Sequence, residues 1–184
     1  MAIITSASIL YRVRGLLDLF YIRERMGKVE LCLRPRTRKK KPTDAQYNQQ
    51  RRFRQGVAWG KHILNNPELK AFYHKKGGKT LSAYQVAVKD RMNPPVITRI
   101  NPRPFLEQRG GAIVITAKDD CKVASVSLRI FNKHHELLET GEARPCGVYW
   151  KYQPRGSRFP AGSWVEVEAS DLPGNNVMKR CDFG

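Results

Sequence analysis

Acidic side chains are scarce in the first half of this chain, and paired cysteines, long apolar runs and enzyme signatures are missing from all of it. Residues 1–42 hold 3 Asp or Glu against 11 Lys or Arg, and residues 43–95 hold 3 against 10. The four cysteines, Cys32, Cys121, Cys146 and Cys181, have neither CxxC spacing nor a histidine at finger-like distance, which removes the common zinc sites. Free thiols are the default; if the chain were exported, two of Cys121, Cys146 and Cys181 would be candidates to pair. No GxSxG, GxxxxGK[ST] or HExxH occurs, so no catalytic residue, metal or cofactor is expected. No stretch approaches the roughly 20 apolar residues of a membrane span. The mildly apolar start, Ala2 to Tyr11, has no basic region before it and is interrupted at Arg12 and Arg14, a poor signal peptide. The expectation is a cytoplasmic protein with no membrane partner.

What is present is positive charge, unevenly placed. Of the formal +18, residues 1–42 contribute +8 and residues 43–95 contribute +7, whereas residues 96–184, with 13 bases and 10 acids, contribute +3. A basic half joined to a near-neutral half points to divided labour. The charge peaks in Arg34-Pro35-Arg36-Thr37-Arg38-Lys39-Lys40-Lys41-Pro42, where six of nine residues are cationic and two prolines favour an extended, solvated backbone.

Two strands precede this strip, Leu17 to Arg23 and Val29 to Leu33, and read as a hairpin in which Val29, Leu31 and Leu33 face inward. After it, Thr43-Asp44-Ala45-Gln46 has the form of a capping box. The helix it opens is expected to reach about Asn65, with Phe53, Gly56, Val57, Gly60 and Leu64 toward the core and Ile63 at the margin. Gly56 and Gly60, four apart, allow close approach of another backbone. Arg51, Arg54 and Lys61 share another face, with Arg52 beside them. Asn66-Pro67-Glu68 starts a second helix carrying Leu69, Phe72 and Tyr73, which stops near Lys75-Lys76-Gly77-Gly78-Lys79. A third starts at Thr80 or Ser82 and ends at Asn93-Pro94-Pro95. Beyond Pro95 the pattern becomes strand-like, at Val96–Ile100, Ala112–Ala117, Val123–Phe131, Val148–Tyr152, Trp164–Ala169 and, more weakly, Asn175–Cys181, with turn signals between. The fold class is therefore α+β, with a basic hairpin and three-helix module over residues 1–95 and an antiparallel β-sandwich over residues 96–184.

At Ala117-Lys118-Asp119-Asp120, Val123 to Leu128, Trp150-Lys151-Tyr152 and Ala169-Ser170-Asp171-Leu172-Pro173-Gly174-Asn175, the C-terminal half resembles bacterial immunoglobulin-like or fibronectin type III-like domains. The resemblance implies a spacer or protein-docking module. The N-terminal half resembles a family of basic bacterial proteins in which a short hairpin, a basic proline-containing strip, a Gln- and Arg-rich helix and an Asn-Pro-Pro exit occur together, and no activity is carried over from it.

Candidate nucleic-acid contacts are Arg34, Arg36, Arg38, Lys39, Lys40, Lys41, Arg51, Arg52, Arg54, Lys61, Lys75, Lys76 and Lys79. Such side chains bind DNA or RNA phosphates by releasing condensed counterions, with little reading of sequence. A solvated basic linker is the plainer alternative. Tyr47, Trp59 and Tyr73 are candidates for stacking on bases, against ordinary core packing. Asp119, Asp120 and Asp171 sit at strand ends, where turn capping competes with calcium binding and is preferred. His134-His135 reads as an exposed turn. The competing role is a structural or adaptor subunit of a larger protein assembly, a phage or cell-surface particle. An exported adhesion-like protein would need a signal peptide that is not evident.

Overall fold

The alternating run Val29 to Leu33 lies within a four-stranded antiparallel sheet. The computed structural model describes residues 2–4, 15–17, 20–25, 28–35, 41–107, 111–156 and 159–183. Within these, β1 (Ala2–Ile4), β2 (Gly15–Leu17), β3 (Phe20–Arg25) and β4 (Lys28–Leu33) are ordered β1-β4-β3-β2. The expected second strand is β4, paired with β3 inside a larger sheet, whereas the expected first strand, Leu17 to Arg23, is divided between the end of β2 and the start of β3; residues 18–19 and the turn residue Gly27 lie outside the described residues. Leu33, expected to face inward, is 71% exposed, while Glu30 is buried beside Val29. The pairing explains this. β1 covers β4 only from Val29 to Leu31, so the middle of β4 is flanked on both sides while Leu33 meets only Phe20 at the sheet's end.

The chain divides into two compact units, Met1–Thr43, which holds this sheet, and Asp44–Gly184. The division expected at Pro95 falls inside the second unit. That unit begins with α1 (Asp44–Leu64), α2 (Pro67–Gly77) and α3 (Ala83–Met92). Asn66 caps α2, its Oδ1 accepting from the N–H groups of Glu68 and Leu69 at 3.1 and 3.2 Å. Ser82 caps α3 in a full capping box with Gln85. The small residues of α1 do what their spacing suggests. A Cβ on Gly60 would lie 2.8 Å from the Tyr84 ring and 2.9 Å from a Val88 methyl, and one on Gly56 would lie 3.1 Å from the Val88 carbonyl oxygen. These contacts set α1 directly on α3. Ile63, expected at the margin, is fully buried with Tyr73, Val86 and Ala87, whereas Phe53 and Leu64 are exposed.

The sheets follow as β5 (Val96–Asn101), a short α4 (Arg103–Glu107), β6 (Ile113–Lys118), β7 (Val123–Phe131), β8 (Leu137–Glu142), β9 (Arg144–Cys146), β10 (Tyr149–Tyr152), β11 (Trp164–Asp171) and β12 (Asn176–Asp182). They form two antiparallel sheets, β5-β6-β10-β9 and β12-β11-β7-β8. One core joins both, with Ile113 and Ile115 from the first packed among Val126, Leu128, Ile130, Val165 and Val167 from the second. Lys179 on β12 reaches across to β5, donating to the carbonyls of Ile97 and Thr98 at 3.2 Å. The architecture is mixed helix and antiparallel sheet.

Helices and sheets are fastened at two turns. Asp171-Leu172-Pro173-Gly174-Asn175 closes with Gly174 at φ 83°, and Asn175 donates from its backbone and side chain to the Asp171 carboxylate, both at 2.6 Å. The same Asn175 side chain donates to the Asp90 carbonyl at 3.4 Å and accepts from Arg91, both on α3. Nearby, Asp120 accepts from Asn93 at 2.9 Å and pairs with Lys89 at 3.0 Å. The most specific stretch of the sandwich resemblance therefore serves here to hold the helices.

Candidate nucleic-acid interface

The first three turns of α1 bury nothing. From Asp44 to Gln55 every residue is exposed except the half-buried Gln50. The cause is the length of α3, which ends at Met92 opposite Gly56, so that its support of α1 stops there. Phe53 lies beyond that end and is 50% exposed, although its spacing from Gly56 and Gly60 suits a core face. Together with Gln49, Gln50 and Arg54 it lines a recess of about 340 Å³.

Arg51, Arg54 and Lys61 are exposed on one stripe of α1, at spacings of three and seven, and Tyr47, 57% exposed, extends the stripe by one turn. Arg52 is turned to a different task. Its Nη2 donates to the Met92 carbonyl at 2.8 Å, satisfying a backbone acceptor at the end of α3. Arg34 and Lys41 are exposed at the two ends of the basic strip, while Arg36, Arg38, Lys39 and Lys40 lie outside the described residues. Lys75 and Lys76 occupy the last turn of α2, where the helix dipole favours cations, and Lys76 also sits over the Phe72 ring at 5.9 Å. Lys79 follows in the next turn, exposed, on a stretch separate from the α1 stripe.

Of the expected stacking residues, only Tyr47 is presented. Tyr73 is fully buried and donates to Asp90 Oδ2 at 2.6 Å, and the Trp59 indole N–H donates to the Tyr73 hydroxyl at 3.2 Å. Phe53 takes their place as the second exposed aromatic of α1. No periodicity could have found it, because its exposure depends on where a different helix ends.

The buried Asp90 carboxyl is pushed up to about 6, chiefly by burial and further by the nearby Asp119 and Asp171 carboxylates, against the lowering effect of the Tyr73 hydrogen bond. Burial likewise pushes the Cys121 thiol up to about 12, with the Asp90 charge adding to it. A thiol so displaced is a poor nucleophile. All four cysteines are free. Asp119 accepts from the backbone N–H groups of Cys121 and Lys122 at 2.9 and 2.8 Å, so each of the three strand-end aspartates has a turn-capping or pairing role. Among the described residues, no three His, Cys, Asp or Glu side chains are placed to hold one metal ion, and no helix is long and apolar enough to cross a membrane. His134 and His135 occupy the β7–β8 turn, His135 at φ 63° with its ring edge-on to Trp164.

Comparison with family models, curated proteins and solved structures yields no match to this chain.

Proposed function

We propose that this is a non-enzymatic nucleic-acid-binding protein, gripping DNA or RNA phosphates through the basic strip and through the exposed part of α1. The observation that carries the reading is the exposed first half of α1, where Arg51, Arg54 and Tyr47 share a stripe. Exposed cations meet a polyanion without unpacking a core, and exposed Tyr47 and Phe53 offer stacking surfaces beside them. Lys61 continues the stripe, Arg34 and Lys41 bound the strip that leads into it, and Lys75, Lys76 and Lys79 offer a second basic cluster.

In this proposal the two-sheet half is an immunoglobulin-like sandwich that docks protein or spaces the basic part. Its strand orders support that reading. With β5, β6, β9 and β10 taken as strands A, B, D and E, and β7, β8, β11 and β12 as C, C′, F and G, the orders are ABED and C′CFG, those of immunoglobulin-type sandwiches. A second reading, a structural subunit of a larger protein assembly, is favoured by exposed apolar side chains on the sandwich, Leu137, Tyr149 and the 74% exposed Val148 among them.

Gel-shift titration of the full chain against duplex and single-stranded oligonucleotides tests the proposal. Six phosphate contacts would give a slope of about −5 in log K against log salt. Arg51→Gln with Arg54→Gln is expected to reduce that slope by about 2 and to weaken binding alike on every sequence. Absence of any retention at low salt, together with stable self-association in light scattering, would sink the nucleic-acid reading in favour of the assembly one.

A further inference from the structure

The two sides of the sandwich are finished differently. On the side of β12 and β5, Lys179 ties the sheets together through two carbonyls. On the side of β8 and β9 an opening of about 570 Å³ remains, lined among others by Thr140, Gly141, Arg144, Cys146, Lys151 and Arg155. The buried Tyr152 ring contributes to its lining and lies against Gly141, where an added Cβ would come within 2.5 Å of the ring.

The charges around this opening are not balanced. Among the described residues that line it are three basic residues, Arg144, Lys151 and Arg155, and one acidic residue, Glu142. Among the described residues, none of the three cations has an ion-pair partner. Arg144 and Lys151 stand directly opposite each other in the β9–β10 register, so their side chains leave the same face. Like charges in that relation destabilise a sheet. Glu139 does not line the opening, and its Oε1 is taken up by the Tyr152 hydroxyl at 2.7 Å and the Arg155 N–H at 2.8 Å. The guanidinium fork suits planar, multidentate recognition of oxyanions, and the described basic residues outnumber the acidic ones there even with Glu139 counted beside Glu142.

We propose that the opening between β8 and β9 binds a small phosphate dianion, as the free ion or as the phosphate of a sugar or nucleoside monophosphate. A phosphate monoester carries about −2 at neutral pH, and the volume leaves room for an organic group beside it. The ligand would relieve the repulsion between Arg144 and Lys151, so binding and local stability are coupled. The site lies on the sandwich and is independent of the α1 stripe.

The test uses the full chain, with glucose 6-phosphate, adenosine monophosphate, inorganic phosphate and potassium chloride at matched ionic strength. Two readouts are followed, the thermal midpoint and the rate at which Cys146 is alkylated, located by peptide mass. The phosphate ligands are expected to raise the midpoint by about 3 °C at tenfold excess over Kd and to slow alkylation at Cys146, an exposed thiol lining the opening. Equal effects of the free ion and the esters assign inorganic phosphate; a larger effect of either ester assigns the organic phosphate. In the double variant Arg144→Gln, Lys151→Gln both effects should vanish, while the midpoint without ligand stays equal to wild type or rises. The proposal is overturned if phosphates do no more than chloride, or if the double variant keeps both responses.

Discussion

Asp90 sits 1% exposed between α3 and the Asp171–Asn175 turn, with Tyr73, Cys121, Asp119 and Asp171 around it and Arg91 bonded to Asn175 alongside. Its folded-state value of about 6 lies above the ordinary aspartate range near 4. The unfolded chain therefore ionises first as pH rises. Stability from this group is fully present below about pH 4 and is lost as pH climbs through 6, by an amount on the order of 3 kcal/mol. Asp171, also raised by burial, acts in the same direction. Denaturant unfolding at a series of pH values should show the decline. Asp90→Asn, which keeps an acceptor for Tyr73, should flatten it, and an unchanged pH slope in that variant would place the titration elsewhere.

Among the elements, α1 is unusual in being exposed over its first half and partly buried over its second. Gly60→Ala is expected to destabilise by about 1–3 kcal/mol, although alanine favours helix by about 1 kcal/mol, because the new methyl meets the Tyr84 ring and Val88 below 3.0 Å. Gly56→Ala, facing the Val88 carbonyl at 3.1 Å, should cost less. Chemical denaturation of the two variants checks the order, and equal losses would show that α1 and α3 separate more readily than these contacts imply. The same element shows how far sequence reading reaches. Its limits and its glycine seam follow from residues 43–65, whereas the exposure of Phe53 and the diversion of Arg52 to the Met92 carbonyl follow from the end of α3. The two sheets of the second unit divide similarly. β11 alternates plainly from Trp164 to Asp171, but β8 contains Gly141 and β9 contains Pro145, both poor strand residues. Gly141 is accommodated because the Tyr152 ring fills its place, and Pro145 because β9 is an edge.

For the molecule as a whole, the joint between the helices and the two sheets that follow them decides what unfolds with what. Asp90, Arg91, Asn93 and Lys89 on the helical side meet Asn175 and Asp120 on the other, and Cys121 from the β6–β7 turn enters the helical core. Asn175→Ala removes bonds to both Asp171 and α3 and should cost about 1–3 kcal/mol. Far-ultraviolet circular dichroism and tryptophan fluorescence, coincident on melting the wild type, are expected to separate in this variant, with the helical signal lost first. Coincident curves with an unchanged midpoint would mean that the joint contributes little.

The amino-acid order alone determined where charge accumulates, where most helices and strands begin and end, and that a basic half precedes a near-neutral one, because these depend on residues close together in the chain. Tertiary structure decided which of those residues remain available. It set Arg52 on a backbone carbonyl, buried Tyr73 on Asp90 and left Phe53 uncovered. It also placed Arg144 and Lys151 side by side at an opening no local pattern announces. Exposure and charge pairing are properties of neighbours in space, and those neighbours come from distant parts of the chain.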